Sequence, residues 1–164
     1  MNDDLIPNWI KKIKDQDESK QSEEERNRLH NFSTQQLVQV GALKFWKGVA
    51  KDLEIAVNAL SKTKIKATCT STSSPANPSE HGVRIDVSAG FPFVKIAHTV
   101  VWYNEGTGYI RCYFMEEPEK RIQFGIDPLG EVCAVGERGG MLDAEKTAEE
   151  ILSPLVCFVR SHSR

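Results

Sequence analysis

The sequence has no run of apolar residues approaching the ~20 that a membrane-spanning helix needs, so insertion into a bilayer is not expected. Its start, Met1-Asn2-Asp3-Asp4-Leu5-Ile6-Pro7-Asn8-Trp9-Ile10, lacks the basic stretch and following apolar stretch of a secretory signal, and export is not expected either. No Cys-x-x-Cys occurs. Cys69, Cys112, Cys133 and Cys157 are scattered, with no histidine at zinc-ligand spacing. They read as reduced thiols packed as small hydrophobes, which fits a cytoplasmic setting and assigns no metal or cofactor. Neither charge dominates, the net being −2, so whole-chain charge points to neither a membrane nor a nucleic acid. A nucleophile elbow and a dinucleotide fingerprint are also missing. The nearest phosphate-loop fragment, Gly136-Glu137-Arg138-Gly139-Gly140, lacks the Lys-Ser/Thr ending and sits in a meander pattern rather than βαβ. Acidic clusters at Glu23–Glu25 and Glu116–Glu117 read as solvated surface. No catalytic residue is assigned, and a non-enzymatic protein is favoured.

What is present suits one domain with an N-terminal extension: 164 residues, 40% hydrophobic and 27% charged. Residues 1–31 are set apart as an amphipathic helix followed by a charged segment, and 32–164 as a single α+β domain. Leu5, Ile6, Trp9, Ile10 and Ile13 recur at helical spacing, whereas Lys14 to Arg28 contains no apolar residue and reads equally as a solvated helix or a linker. Ser33-Thr34-Gln35-Gln36 has the form of a capping box, which places the start of a second helix there. Along that helix Ala42, Trp46, Val49, Leu53, Ala56 and Leu60 form one apolar seam, with Lys44, Lys47 and Lys51 on the opposite stripe.

From Lys64 the period changes to two, the mark of strands with one buried face. Ile65, Ala67 and Cys69 alternate with polar residues, as do Val83, Ile85 and Val87, and the Ser- and Pro-rich stretch Ser71 to Gly82 between them reads as a loop. Ala89-Gly90-Phe91-Pro92 reads as a turn. On the next strand Ile96, His98, Val100 and Trp102 are taken as the core side, with Lys95, Ala97, Thr99, Val101 and Tyr103 outside. Asn104 to Gly108 then forms a five-residue hairpin loop that sets Tyr103 opposite Tyr109. Asp127-Pro128-Leu129-Gly130 suits a type I turn with a bulge glycine, and Asp143 suits the N-cap of a final helix to about Arg160. The expected architecture is a two-layer α+β fold of order α-α-β-β-β-β-β-β-α, an antiparallel meander of about six strands with one face covered by helices.

Two sites compete on this plan. The sheet face away from the helices gathers Tyr103, Tyr109, Arg111, Tyr113 and Arg121, residue types that anchor protein interfaces. With Trp9 they are the interface candidates, for a protein partner or a homo-oligomer. The alternative is a small-molecule pocket, enzymatic or not, lined by His98, Trp102 and Cys112. Nucleic-acid binding through the basic residues is the weakest reading, because the basic excess is confined to residues 32–66, with six basic against two acidic side chains. His30 and His162 carry no signal.

Overall fold

The structure, a computed structural model, describes residues 7–90 and 94–161. The expectations for Leu5, Ile6, the Phe91-Pro92 turn and His162 lie outside the described residues. The chain divides into two compact units, 1–36 and 37–164, and one helix, α1 (Asn8–Leu60), contributes to both.

In the first unit the described residues are helical from Asn8 onward. Pro7 stands just before the helix, where its carbonyl accepts from Ile10 N at 2.9 Å and its missing N–H costs nothing. Lys14 to Arg28 is helix, not linker. The supposed capping box lies in mid-helix, where Ser33 Oγ donates back to the His30 carbonyl at 2.8 Å instead of capping an N-terminus. One helix therefore replaces the two expected.

The second unit is an antiparallel sheet in plain sequential order, β1 (Lys66–Ser74), β2 (Asn77–Ala89), β3 (Lys95–Asn104), β4 (Tyr109–Phe114), β5 (Lys120–Ile126), β6 (Val132–Val135) and β7 (Met141–Leu142). Helix α2 (Ala144–Arg160) follows. The expected class holds, with one strand more. That strand arises because the glycine-rich segment closes a hairpin, Gly136 N donating to the Gly140 carbonyl at 2.8 Å and Gly139 taking φ 77°. The segment from Ser71 to Gly82 is also not a loop. Strands β1 and β2 run through it to a tight turn at Pro75-Ala76, Ser74 pairing with Asn77. At the β5–β6 turn Asp127 Oδ1 accepts from Leu129 N at 2.8 Å and Glu131 N at 2.9 Å, and Gly130 takes φ 83°. Phe124 then pairs with Ala134 and Ile126 with Val132, as the alternation requires.

Both helices bury their apolar sides on one face of this sheet. Helix α1 contributes Val38, Ala42, Phe45, Trp46, Val49, Leu53 and Val57, and Gly41 approaches Val132 so closely that a Cβ would collide with it. Helix α2 is capped by Asp143, whose Oδ1 accepts from Lys146 N at 2.8 Å, and continues through Pro154 on its exposed side. Beneath them lie Val83, Ile85, Val87, Val101, Ile110 and Ile122. Each such side chain removed from water contributes roughly 1.5–3 kcal/mol.

Strand β3 reverses the expected parity. Ala97, Thr99, Val101 and Tyr103 are the buried side, while Ile96, His98, Val100 and Trp102 face away from the helices. The β3–β4 pairing is Tyr103 with Ile110 and Trp102 with Arg111, one residue away from the register that a five-residue loop gives. A slip of one residue exchanges the two faces of a strand.

Candidate functional site

The outer face of the sheet is built from alternate residues of β1 to β6. Across its middle the pairings Thr72 with Gly82, Gly82 with Trp102, Trp102 with Arg111 and Arg111 with Arg121 form a transverse row. The Trp102 indole lies over Gly82, and a Cβ there would collide with the indole and with Thr72 Oγ1. Glycine in a strand interior marks such a close approach. Ile96, 61% exposed, stands on the same face six residues before Trp102, about 20 Å along the strand, with His98 and Val100, both half-buried, between them. Gly82→Ala is expected to lift the indole, lowering stability by about 1–3 kcal/mol, the usual cost of overpacking. A red shift in tryptophan emission with a lowered denaturation midpoint checks it; an unchanged spectrum contradicts the packing.

The charged residues around the apolar centre are already neutralised within the chain. Arg84 grips Asp86 with Nε and Nη2 each at 2.9 Å from a carboxylate oxygen. These bonds hold the Asp86 carboxyl below its ordinary range against partial burial, and the charges of Arg84 and His98 act the same way. Arg111 Nη2 donates to Glu80 Oε1 at 2.8 Å. Arg121 Nε donates to Glu119 at 2.6 Å, its guanidinium stands 4.8 Å from the Tyr109 ring centroid, and the Tyr113 hydroxyl donates to the same carboxylate. The Tyr113 and Arg121 bonds hold Glu119 below its ordinary range. Tyr109, Arg111, Tyr113 and Arg121 are thus brought together on one face. Glu80, Glu119 and Gly82 were not singled out from the sequence. Only Gly82, at the end of an alternating strand, carried a signal.

Tyr103 does not belong to this face. It is 1% exposed, its ring centroid 6.0 Å from Trp46 and 5.8 Å from Phe124 in the core, because the β3–β4 register turns it inward. Burial raises its phenol, and the nearby Glu105 charge adds to this. Trp9 lies in the first unit, 64% exposed.

The three pocket candidates are split by the same reversal. His98 is paired with Asp86 and, like Trp102, belongs to the outer face. Cys112 faces the helices and lines a cavity of about 230 Å³ with Thr99, Lys120 and Glu150. Burial pushes its thiol up to about 12, so at neutral pH it is protonated and not a nucleophile. Lys120 is pulled down by burial, but Glu137 at 2.7 Å and Glu150 at 3.5 Å outweigh this and hold it charged. No histidine joins it. Among the described residues no group of three or more His, Cys, Asp or Glu is arranged to hold a metal ion, and no helix is long and apolar enough to cross a membrane.

The arrangement defines an α+β protein in which two helices share one face of a seven-stranded meander and leave a mixed apolar and ion-paired face opposite. No family model, curated protein or solved structure matches the chain.

Proposed function

We propose that this chain is a non-enzymatic binding module that associates with another protein chain, in the first place a second copy of itself, through the outer face of its sheet. The observation that carries this reading is the parity of β3. Apolar residues occupy both sides of the strand: Val101 and Tyr103 enter the core with Ala97 and Thr99, while Ile96, Val100 and Trp102, with His98 among them, face away from the helices. An exposed isoleucine and, further along the strand, a half-buried valine next to a packed tryptophan, rimmed by tyrosine and arginine, have the composition of an interface centre and rim. The ion pairs favour a protein over a nucleic acid. Arg84, Arg111 and Arg121 are each tied to a carboxylate, so phosphate would have to displace an existing partner, whereas a neutral protein surface leaves the pairs intact.

The test is Ile96→Asp, at a position exposed enough to leave the core undisturbed. Light scattering over a tenfold concentration range is expected to show the wild-type chain heavier than a monomer and the variant lighter. Equal masses at every concentration would remove the sheet face as the site of self-association.

A further inference from the structure

A second surface lies on the helix side of the second unit. Between the last turns of α1 and the facing side of α2, from Glu145 to Cys157, runs an open trough of about 640 Å³, with Ala56, Ala59, Leu60, Leu152 and Val156 along its floor and Ile55 at its edge, 55% exposed. It is apolar because both helices present small or aliphatic residues where they face each other, and its volume is that of a site for a short peptide or small ligand, about 300–1,000 Å³. Its charged lining is of one sign: Asp52, Glu145 and Glu149. An acidic trough with an apolar floor selects a segment that is apolar on one side and basic beside it.

This chain carries such a segment. Near the start of α1, Trp9, Ile10 and Ile13 are exposed at 64%, 37% and 49%, and Lys11, Lys12 and Lys14 are interleaved with them. Trp9 and Ile13 are one helical turn apart, the spacing at which a helix anchors in an apolar groove. We infer that the Trp9–Lys14 turn of one copy docks in the trough between α1 and α2 of a second copy, the lysines facing Asp52, Glu145 and Glu149. Every copy offers one turn and one trough, so a two-fold exchange occupies both at once, the closed arrangement most homodimers adopt. It shares no residue with the outer sheet face, and as the contact that holds two copies together it is the alternative to that face.

The test uses two charge-reversed full-length chains, Asp52→Lys/Glu149→Lys and Lys11→Glu/Lys12→Glu, all four positions lying outside the core. Sedimentation measures the dimer dissociation constant of each alone and of the equimolar mixture. Each alone is expected to dimerise at least tenfold more weakly than wild type, because like charges meet in both of its docking sites. The mixture is expected to regain wild-type affinity, since each turn then meets a trough of opposite sign. A mixture no tighter than its components overturns the exchange, as does dimerisation unaffected in either chain, or a monomeric wild type. Ile96→Asp in the same series keeps the two interfaces apart. If it alone dissociates the dimer, the sheet face stands and the trough is excluded; if only the charge reversals do, the trough stands and the sheet face falls.

Discussion

Tyr103→Ala is expected to cost about 3–5 kcal/mol, the range for truncating a buried aromatic side chain. The ring lies within 6.0 Å of Trp46 and 5.8 Å of Phe124, and Phe124 in turn meets Phe45 edge-on at 5.5 Å. Removing it opens a cavity at the point where α1 rests on β3 and β5, and forfeits aromatic pairings worth about 0.5–1.5 kcal/mol each beyond burial. On a urea slope of about 1–3 kcal/mol per molar, the midpoint should fall by at least about 1 M. Tyr109→Ala, on the half-exposed outer face, should shift it far less. If Tyr103→Ala left the midpoint in place and abolished assembly, the residue would be an interface anchor and the β3 register described above would be wrong.

That residue shows where sequence reasoning reached and where it stopped. Strands β1, β2, β5 and β6 were legible because each has one clearly apolar side, as in Val83, Ile85 and Val87 against Arg84, Asp86 and Ser88. Strand β3 has apolar residues on both sides, so alternation alone does not decide which set is buried. Two things outside the strand decide it. The β3–β4 register is shifted by one residue from the one the glycines suggested, Tyr103 pairing with Ile110, and Thr107 Oγ1 donates to the Asn104 carbonyl at 2.7 Å within the connection. Helix α2 also lies against β2 and β3, where small Ala97 and Thr99 admit it, Thr99 Oγ1 being satisfied by the Tyr113 carbonyl at 3.0 Å. The exposed ends of β1 and β2 were missed for the opposite reason. Around Pro75 neither side is buried, so no period exists to be read.

The candidate site was legible to the same degree. Tyr109, Arg111, Tyr113 and Arg121 follow from alternation within β4 and β5 and were grouped correctly on one face. Their carboxylate partners were not, since Glu80 lies in the stretch read as a loop and Glu119 in the turn before β5. Pairing between distant strands is a property of register, and register is what the sequence stated least.

Cys112 links the core to pH. Burial raises its thiol from 9.0 to about 12, with Lys120 lowering it and Glu150 raising it by smaller amounts. The neutral thiol is therefore the favoured form in the folded state. Below pH 9 both folded and unfolded chains hold the proton, and the stabilisation is fully present. As pH rises from 9 to 12 the unfolded chain releases its proton while the folded chain keeps it, so unfolding is favoured progressively and the stabilisation is lost. Three pH units correspond to at most about 4 kcal/mol. Cys112→Val, close in volume and unable to ionise, is expected to flatten this alkaline decline by a comparable amount. The Tyr103 phenol is also raised by burial, but it is present in both chains, so the difference between their urea midpoints at pH 8 and pH 11 reports the thiol. In the native wild-type chain at pH 8 a thiol reagent should label the exposed Cys157 long before Cys112. Superimposable pH curves, or rapid labelling of Cys112, would mean that the thiol is open to solvent and would make the cavity beside Lys120 a place for a reactive thiol; a flattened curve with slow labelling identifies Cys112 as a core residue kept protonated by its burial.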